Sequence, residues 1–370
     1  MENTNRIFFH KVLKAIADSI IKIFIPLYIL KTTNNISLSI IYLIVYSFFV
    51  FTLQIVTKKL YQRKMILCMM LHCFPIIITQ AILSFCQINI ITVTISALLM
   101  AISQVFYSVP LNIIFALKDK SKNIAKFEIA TNTGKIVFII ISGLLLSRVT
   151  NSFIFLSGIS TIIYISSIIP IGIFYDQKNI PITNNQPTKY SCNFAFRMYH
   201  ISFGLFQTTI DSLIPIYLFV NNLSFDAITI IIATVEVFKI LANLIAKKFV
   251  SKKQHKLCCI ISFIIFITSL ICILLFKNKT ILYIFSSIIA ISFPLTFVPL
   301  FHIFCKQSKN SASTITDMTI RDVDIFAPRP LFYGLYFVGG FLAPILLGLA
   351  SSITMLTCQI KTINSHKDIL

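Results

Sequence analysis

Charged residues are scarce in this sequence, and their scarcity excludes a large class of proteins. Asp, Glu, Lys and Arg together make up 12% of the 370 residues, while hydrophobic residues make up 57%. Soluble domains contain about 25% charged residues and about 45 to 50% apolar ones. A composition so poor in charge excludes a water-soluble enzyme.

The hydrophobic runs lack any alternation of polar and apolar residues. They are about 20 residues long, the length that a helix needs to cross the hydrocarbon core of a membrane. Strands of outer-membrane barrels are about 10 residues long and alternate in polarity, so that class is excluded too. We predict an all-α polytopic membrane protein with eleven spans at residues 11–30, 38–57, 65–85, 90–116, 130–147, 152–174, 197–219, 226–246, 257–276, 281–305 and 327–346.

Acidic residues are fewer than basic ones, 12 against 32, and the formal net charge is +20. Most of the basic residues fall in loops on the side of the N-terminus, as the positive-inside rule requires of cytoplasmic loops. Topology therefore explains the charge, and we expect no nucleic acid partner. We predict a multi-pass membrane protein with a cytoplasmic N-terminus. The bias toward Ile, Lys, Asn and Phe is typical of an AT-rich genome, so we expect a bacterial inner (plasma) membrane.

Clusters of metal-ligating side chains are also lacking. The nine cysteines lie mostly within apolar runs, where cysteine packs as a small apolar residue. His255, Cys258 and Cys259 come nearest to a ligand set, but no second group completes four ligands. We therefore predict no metal, no cofactor and no catalytic residue.

Two segments recur at a constant distance along the chain. Ile25–Ile29 (IPLYI) returns as Ile214–Leu218 (IPIYL). The basic segment Lys58–Lys64 is matched by Lys247–Lys253 at the same distance, which we call the repeat distance. Each match keeps its side of the membrane, which indicates a parallel duplication of two six-helix halves.

A third match and a polar segment complete this division. The pair Glu128 and Lys135 is matched by Asp322 and Arg329, at a spacing five residues longer than the repeat distance. With that longer spacing, residues 347–360 correspond to only the first part of a twelfth helix before a polar tail. We predict an N-terminal six-helix half (1–174), a cytoplasmic linker (175–196) and a C-terminal half (197–370) with about five complete helices. The expected fold is two pseudo-symmetric six-helix bundles with a truncated twelfth helix.

In this layout the sequence resembles the major facilitator superfamily of secondary transporters. The resemblance covers nearly the whole chain and rests on the duplicated halves, the segment Ile23–Ile29 and the basic loops. Of the family's Gly, Asp-Arg and Gly-Arg-Arg/Lys loop signature, only Arg63 and Lys64 are present. The resemblance implies a monomer in the lipid bilayer that moves a small solute by alternating access. It also implies that helices 1 and 7 line a central cavity and that helices 5 and 8 meet between the halves.

Asp18 is a candidate for substrate binding or proton coupling. It shares one face of the first helix with Lys14 and Lys22, because the three are four residues apart. The face is either part of the cavity or a self-neutralised stripe near the cytoplasmic end. The repeat mate of Asp18 is Gln207, whose polar side chain favours the cavity.

Asp211 is the best candidate for the group that couples transport to protons. It lies near the middle of the seventh helix, with no Lys or Arg within two turns of the same helix. Desolvation without a partner would favour its protonated form. The alternative is a hydrogen bond to Thr208 or Ser212 that only stabilises packing.

Charges in helices 5, 8 and 11 are candidates for contacts between the halves. Glu236 pairs either with Lys135 across the interface or with Lys239 one turn away. Two further pairs, each spaced by seven residues, are expected to act as gate charges or else to anchor helix ends at the membrane surface: Glu128 with Lys135, and Asp322 with Arg329.

Two alternatives to an active transporter stay open. The reduced loop signature and the truncated twelfth helix fit a decayed, non-transporting homologue. A membrane-embedded transferase is less favoured, because its acidic cluster would be Asp317, Asp322 and Asp324, which no histidine accompanies.

Overall fold

The structure, a computed structural model, describes residues 2–117, 124–149, 151–172, 193–276, 278–309 and 314–365. Within these ranges every regular element is helical. Residues 175–192 of the predicted linker lie outside them, and Asn193 caps the helix that begins at Phe194, accepting a hydrogen bond from the backbone of Ala195.

Twelve helical segments follow one another along the described chain. Ten of them are long and apolar enough to cross a membrane, and the exceptions are α1 and α11. The segments are α1 (Glu2–Ile20, Lys22–Phe24 and Ile25–Thr33), α2 (Ile36–Tyr61), α3 (Lys64–Phe85), α4 (Ile90–Leu117), α5 (Ile124–Arg148), α6 (Ser152–Gly172), α7 (Phe194–Thr208, Thr209–Leu213 and Ile214–Val220), α8 (Phe225–Ser251), α9 (His255–Leu275), α10 (Lys279–Ile288, Ile289–Ile291 and Ser292–Lys309), α11 (Thr314–Phe326, Arg329–Gly334 and Tyr336–Gly339) and α12 (Leu342–Ser365).

The second half repeats the first at the repeat distance that separates Ile25 from Ile214. Helix starts show it: α2 and α8 begin at Ile36 and Phe225, and α4 and α10 begin at Ile90 and Lys279. The turns repeat as well. Asn151, which precedes α6, and Gly340, between α11 and α12, are separated by the same distance and both have a positive φ, 62° and 57°.

The twelfth helix is complete, so the prediction that it is truncated is wrong. It has 24 residues, about 36 Å at 1.5 Å per residue. The error came from the third sequence match, whose spacing is five residues longer than the repeat distance. At the repeat distance Glu128 is matched by Asp317, and α12 begins at Leu342 rather than after the run 327–346.

The eleventh segment begins earlier than predicted. Its first helix is rich in charged residues, so a search for apolar runs does not find it. That helix, Thr314–Phe326, buries its charged side chains in ion pairs. Arg197 of α7 holds Asp324 with two hydrogen bonds of 2.7 and 3.0 Å. Arg321 pairs with Asp322 at 2.9 Å. Hydropathy alone does not detect such a helix, because the charges are compensated only in the folded bundle.

The outward-facing surface of the bundle is apolar, and polar side chains lie inside. On α6 the exposed side chains include Phe155, Ile162 and Ile169, while Ser160 and Tyr164 are buried. Lipid tails supply no driving force for burying Ile or Phe, so the polar side chains turn toward the bundle, where hydrogen bonds are available. The same rule directs the charged residues described below inward.

Prolines interrupt α1 and α7 at equivalent positions. Proline lacks the N–H that would bond the carbonyl four residues earlier, and its ring crowds that carbonyl. In α1 a 3₁₀ turn (Lys22–Phe24) precedes Pro26, and in α7 a π-helical turn (Thr209–Leu213) precedes Pro215. Lys22 and Asp211, which correspond in the repeat, are the residues four before these prolines. Each half thus places one ionisable side chain at a break in its first helix, and π-helical turns of this kind are frequent at functional sites.

Two glycines permit close helix crossings. A Cβ at Gly143 of α5 would overlap the side chain of Thr229 of α8, where the halves meet. A Cβ at Gly204 of α7 would overlap the carbonyl oxygen of Ile325 of α11. The second contact is to backbone, which cannot rotate away as a side chain can.

Gly204→Ala is therefore expected to destabilise the protein by about 1–3 kcal/mol, the usual effect of overpacking. Gly158→Ala is the matched control, because no heavy atom lies within 4 Å of its Cβ position and alanine is the better helix former. Thermal unfolding in detergent should show a lower Tm for Gly204→Ala and an unchanged or higher Tm for Gly158→Ala. Equal values for the two variants would contradict the assigned crossing.

Candidate functional site

A cavity of about 200 Å³ lies between the two halves. Only α5 contributes from the first half, whereas α7, α8 and α10 contribute from the second. Most of the lining is polar, and two aromatic rings and a proline form one wall. The lining residues are Glu128, Asn132 and Lys135 of α5, Gln207 and Asp211 of α7, Lys239 and Asn243 of α8, and Phe293, Pro294 and Phe297 of α10.

Asp211 is exposed to this cavity and does have a cationic partner. Lys239 of α8 places its Nζ 3.3 Å from Oδ1 of Asp211, and Gln207 donates to Oδ2 at 3.2 Å. The partner comes from another helix. Asp211 is therefore not an isolated carboxylate, although α7 itself supplies no cation nearby. The π-helical turn presents the side chain, which is 36% exposed.

Glu236 is buried and shared between two lysines. Its Oε1 lies 3.2 Å from the Nζ of Lys239, and its Oε2 lies 3.7 Å from the Nζ of Lys135. The two partners that the sequence offered as alternatives are therefore both present. Lys135 belongs to α5 and Glu236 to α8, so this ion pair connects the halves.

Arg329 extends the chain of polar contacts into α11. Its Nη2 donates to Oε1 of Gln207 at 2.8 Å, its Nε donates to the carbonyl of Ile325 at 3.1 Å, and its guanidinium lies 4.0 Å from the centre of the Phe326 ring. Consecutive contacts thus run from α11 through α7 and α8 to α5, in the order Arg329, Gln207, Asp211, Lys239, Glu236, Lys135.

The two predicted pairs spaced by seven residues do not form direct ion pairs. Glu128 binds Lys11 of α1 at 2.5 Å rather than Lys135. Asp322 pairs with Arg321 rather than with Arg329, and its carboxylate lies against α4. Seven residues are two helical turns, about 10 Å, a distance that these side chains span only through intermediates.

Asp18 lies apart from the cavity lining, in the core of the first half. Lys14 places its Nζ 2.5 Å from Oδ2 of Asp18, and the hydroxyl of Tyr164 donates to Oδ1. Lys22 donates instead to Gln104 of α4 at 3.1 Å. The predicted stripe is thus neutralised in part, between Lys14 and Asp18.

Of the two loop-signature residues, Arg63 and Lys64, only Lys64 has a described side chain. Lys64 begins α3 after a break in the helix (φ −139°, ψ 41°) and is exposed. The side chain of Arg63 lies outside the described residues.

Several residues of the cavity lining were not predicted as site residues, although the sequence offers a signal for two of them. Asn132 and Asn243 lie one turn from Lys135 and Lys239 on the same helix faces. An amide one turn from a lysine inside an apolar run is itself unusual. Phe293 and Phe297 gave no signal, because phenylalanine is abundant in every span.

The halves also meet at the end of the bundle that holds the turns between α1 and α2, α5 and α6, and α7 and α8. We call this end the far end. Arg148, at the end of α5, binds Asp226, at the start of α8, at 3.0 Å. Ser147 donates to the same carboxylate. Phe24 of α1 stacks on Phe225 of α8 with ring centres 5.9 Å apart. These contacts join the halves at the far end.

Comparison with known families assigns the chain. The sequence model described as Major Facilitator Superfamily matches residues 7–319, which is most of its length. The chain belongs to the major facilitator superfamily. Membership confirms the resemblance drawn from the repeats and makes the chain a multi-pass membrane protein of the transporter class. No curated protein sequence matches the chain significantly.

Solved structures of the superfamily's fold support the architecture. A bacterial homologue of the iron transporter ferroportin, in an outward-facing state, aligns with a TM-score of 0.72 at 8% identity and covers 98% of this chain and 99% of its own. The same homologue soaked with iron gives a TM-score of 0.73 at 8% identity, covering 96% and 98%. The human organic anion transporter MFSD10 (TETRAN) gives 0.69 at 10% identity, covering 97% and 99%. At such identities the likeness shows the fold alone.

Proposed function

We propose that the chain is a secondary active transporter that moves a small solute by alternating access and couples this movement to protons. One observation carries the proposal: Asp211, at the π-helical turn of α7, is exposed to the cavity and belongs to a chain of charges from both halves. Ionisable groups inside a membrane cost at least about 2.5 to 3.5 kcal/mol each. Five of them in one chain of contacts, three of which line the cavity, therefore support a functional site there.

Asp211 is the proposed proton site because its partner is shared. Lys239 contacts both Asp211 and Glu236. Protonation of Asp211 removes one of these attractions and leaves Lys239 to Glu236. The contact between α7 and α8 then weakens. Glu236 is drawn more strongly to Lys239, so its contact with Lys135 across the interface weakens too. A proton at Asp211 thus acts on the contact that joins the halves.

The orientation and compartment follow from the sequence. We place the N-terminus in the cytoplasm of a bacterial cell and the chain in its inner membrane, because the basic loops lie on the N-terminal side. In this orientation the Arg148 and Asp226 pair lies on the periplasmic side. We further propose that the protein acts as a monomer, because one chain supplies residues from both halves to the cavity.

The alternative functions have weaker support. The decayed-homologue hypothesis relied partly on a truncated twelfth helix, and that helix is complete. A transferase would require free acidic side chains, but Asp322 and Asp324 are held by Arg321 and Arg197.

The proposal is tested by uptake into proteoliposomes from a mixed metabolite extract, read by mass spectrometry. A pH difference of either sign is imposed, and protein-free liposomes correct for weak acids that cross the bilayer unaided. We expect at least one solute to accumulate under one sign of the gradient, and that sign distinguishes symport from antiport. Absence of accumulation from folded protein under both signs would favour the non-transporting alternative.

Closure of the far end is testable by charge reversal. Arg148→Asp places two carboxylates together where an ion pair now forms, so the closed far end should be less stable and transport slower. Arg148 is 68% exposed, and exposed pairs contribute about 0.2 to 1 kcal/mol, so the expected change in rate is at most about fivefold. The swapped variant Arg148→Asp with Asp226→Arg should recover the rate. A double variant as slow as the single one would exclude the pair as a gate.

A further inference from the structure

The charges around the cavity do not balance. Three cations, Lys135, Lys239 and Arg329, are in the contact chain, against two carboxylates, Asp211 and Glu236. The other carboxylate in the lining, that of Glu128, is outside the contact chain and is already paired with Lys11. The site therefore carries one positive charge in excess, and two when Asp211 is protonated.

The excess charge lies on Arg329 and Lys135. Among the described residues, no carboxylate comes within ion-pair distance of Arg329, whose hydrogen bonds go to an amide and a backbone carbonyl. Lys135 is 3.7 Å from Glu236, which is longer than a hydrogen bond. Arg329 is 8% exposed and the Lys135 side chain 21%, and a cation withdrawn from water with so little compensation is unfavourable unless an anion completes the site.

The cavity also holds an unused hydrogen-bonding atom. Asn243 is 2% exposed, its Nδ2 donates to the carbonyl of Lys239, and its Oδ1 has no partner among the described residues. Buried polar atoms are nearly always satisfied. The Oδ1 of Asn243 requires a hydrogen-bond donor rather than an anionic group, so the group in the lining that favours a bound anion is the under-used Lys135.

The remaining wall is apolar and flat. The rings of Phe293 and Phe297 are nearly parallel, with an interplanar angle of 10° and centres 5.7 Å apart, and Pro294 lies between them in sequence. A volume of about 200 Å³ is smaller than the roughly 300 to 1,000 Å³ of sites for drug-sized ligands. The solute is therefore compact and has an apolar part.

We propose that this cavity binds a small organic anion, whose carboxylate or phosphate group is held by Lys135 and Gln207 while its apolar part packs on Phe293 and Phe297. Arg329, which does not line the cavity, holds Gln207 from behind and adds positive potential. This inference rests on the proposed transport function and names its substrate class. It also accounts for coupling: a proton on Asp211 removes a carboxylate that competes for Lys239 and raises the attraction for an anion. A proton and a monoanion then move together without net charge.

The test is a charge series of equal size, measured by binding to purified protein in detergent with no gradient present. Benzoate, benzamide and benzylamine differ mainly in the charge of one group. Benzoate is expected to raise the Tm in a saturable manner and benzylamine to leave it unchanged, with phenyl phosphate showing whether phosphate replaces carboxylate. Binding of benzylamine as tight as that of benzoate, or no binding of either anion, would overturn the inference.

Variants locate the anion site. Lys135→Gln is expected to weaken benzoate binding by about 10- to 100-fold, the effect of losing one hydrogen bond to a charged group. Lys135→Arg should restore most of it. Lys248→Gln, which removes an exposed lysine at the end of α8, is the matched control and should bind as wild type. Unchanged binding in Lys135→Gln would refute the placement.

The assay separates this inference from the proposed function. Anion binding without gradient-driven uptake would leave the inference standing and contradict the transporter. Gradient-driven uptake of a cationic solute would support the transporter and contradict the inference of an anion site.

Discussion

Glu236→Gln is expected to lower the free energy of unfolding by about 3 kcal/mol. Breaking a buried ion pair by removing one partner costs about 3–5 kcal/mol, because it leaves a buried charge without compensation. The lower end applies, since Lys239 keeps Asp211 as a partner and, among the described residues, Lys135 loses an ion pair but keeps the carboxylate of Glu128 in the same cavity lining. Thermal unfolding in detergent should show a clear fall in Tm, and the variant should be poorly expressed.

Glu128→Gln is the matched control for this effect. It removes a carboxylate from the same cavity lining, but the Glu128 side chain is 26% exposed against 5% for Glu236. Partly exposed pairs contribute about 1 kcal/mol or less. The double variant Glu236→Gln with Lys135→Gln should recover part of the lost stability, because it removes the uncompensated cation. Equal effects of the two single variants would contradict the described burial of Glu236.

The class of the protein and its duplication could be predicted from sequence because both are carried by long segments. A run of consecutive apolar residues as long as the membrane core is thick is sufficient to indicate a span. The Ile25–Ile29 and Ile214–Leu218 match gave the repeat distance that the helices follow. The Glu128 and Asp322 match did not give it. Two charges spaced by seven residues recur by chance more often than five-residue segments do, and the match shifted the predicted twelfth helix by five residues.

The cavity was less predictable, because its contacts join residues far apart in the chain. Sequence singled out Gln207, Asp211 and Glu236 since polar groups in apolar runs are unusual. It could not show that Lys239 lies between two carboxylates, or that Arg329 of α11 reaches Gln207 of α7. Such pairings depend on which helix faces meet, and helix crossings are decided by packing at sites such as Gly143 and Gly204.

Asp211→Asn is expected to abolish gradient-driven accumulation. The amide has the size and hydrogen-bonding reach of the carboxylate, so contact with Gln207 persists, but it takes up no proton in the physiological range. A pH difference of one unit corresponds to about 1.4 kcal/mol, enough for about tenfold accumulation of a solute carried with one proton. In the variant the ratio of internal to external solute should fall to about one, as measured by uptake at equilibrium.

The exchange assay separates lost coupling from lost function. Asp211→Asn keeps the size of the side chain at the cavity and imitates protonated Asp211, so exchange of labelled for unlabelled solute across the liposome membrane should continue without a gradient. Asp211→Glu retains a titratable carboxylate and should keep part of the accumulation, although its longer side chain alters the 3.3 Å contact with Lys239. Wild-type accumulation by Asp211→Asn would exclude Asp211 as the proton site and leave Glu236, the other carboxylate that Lys239 contacts, as the group to test next.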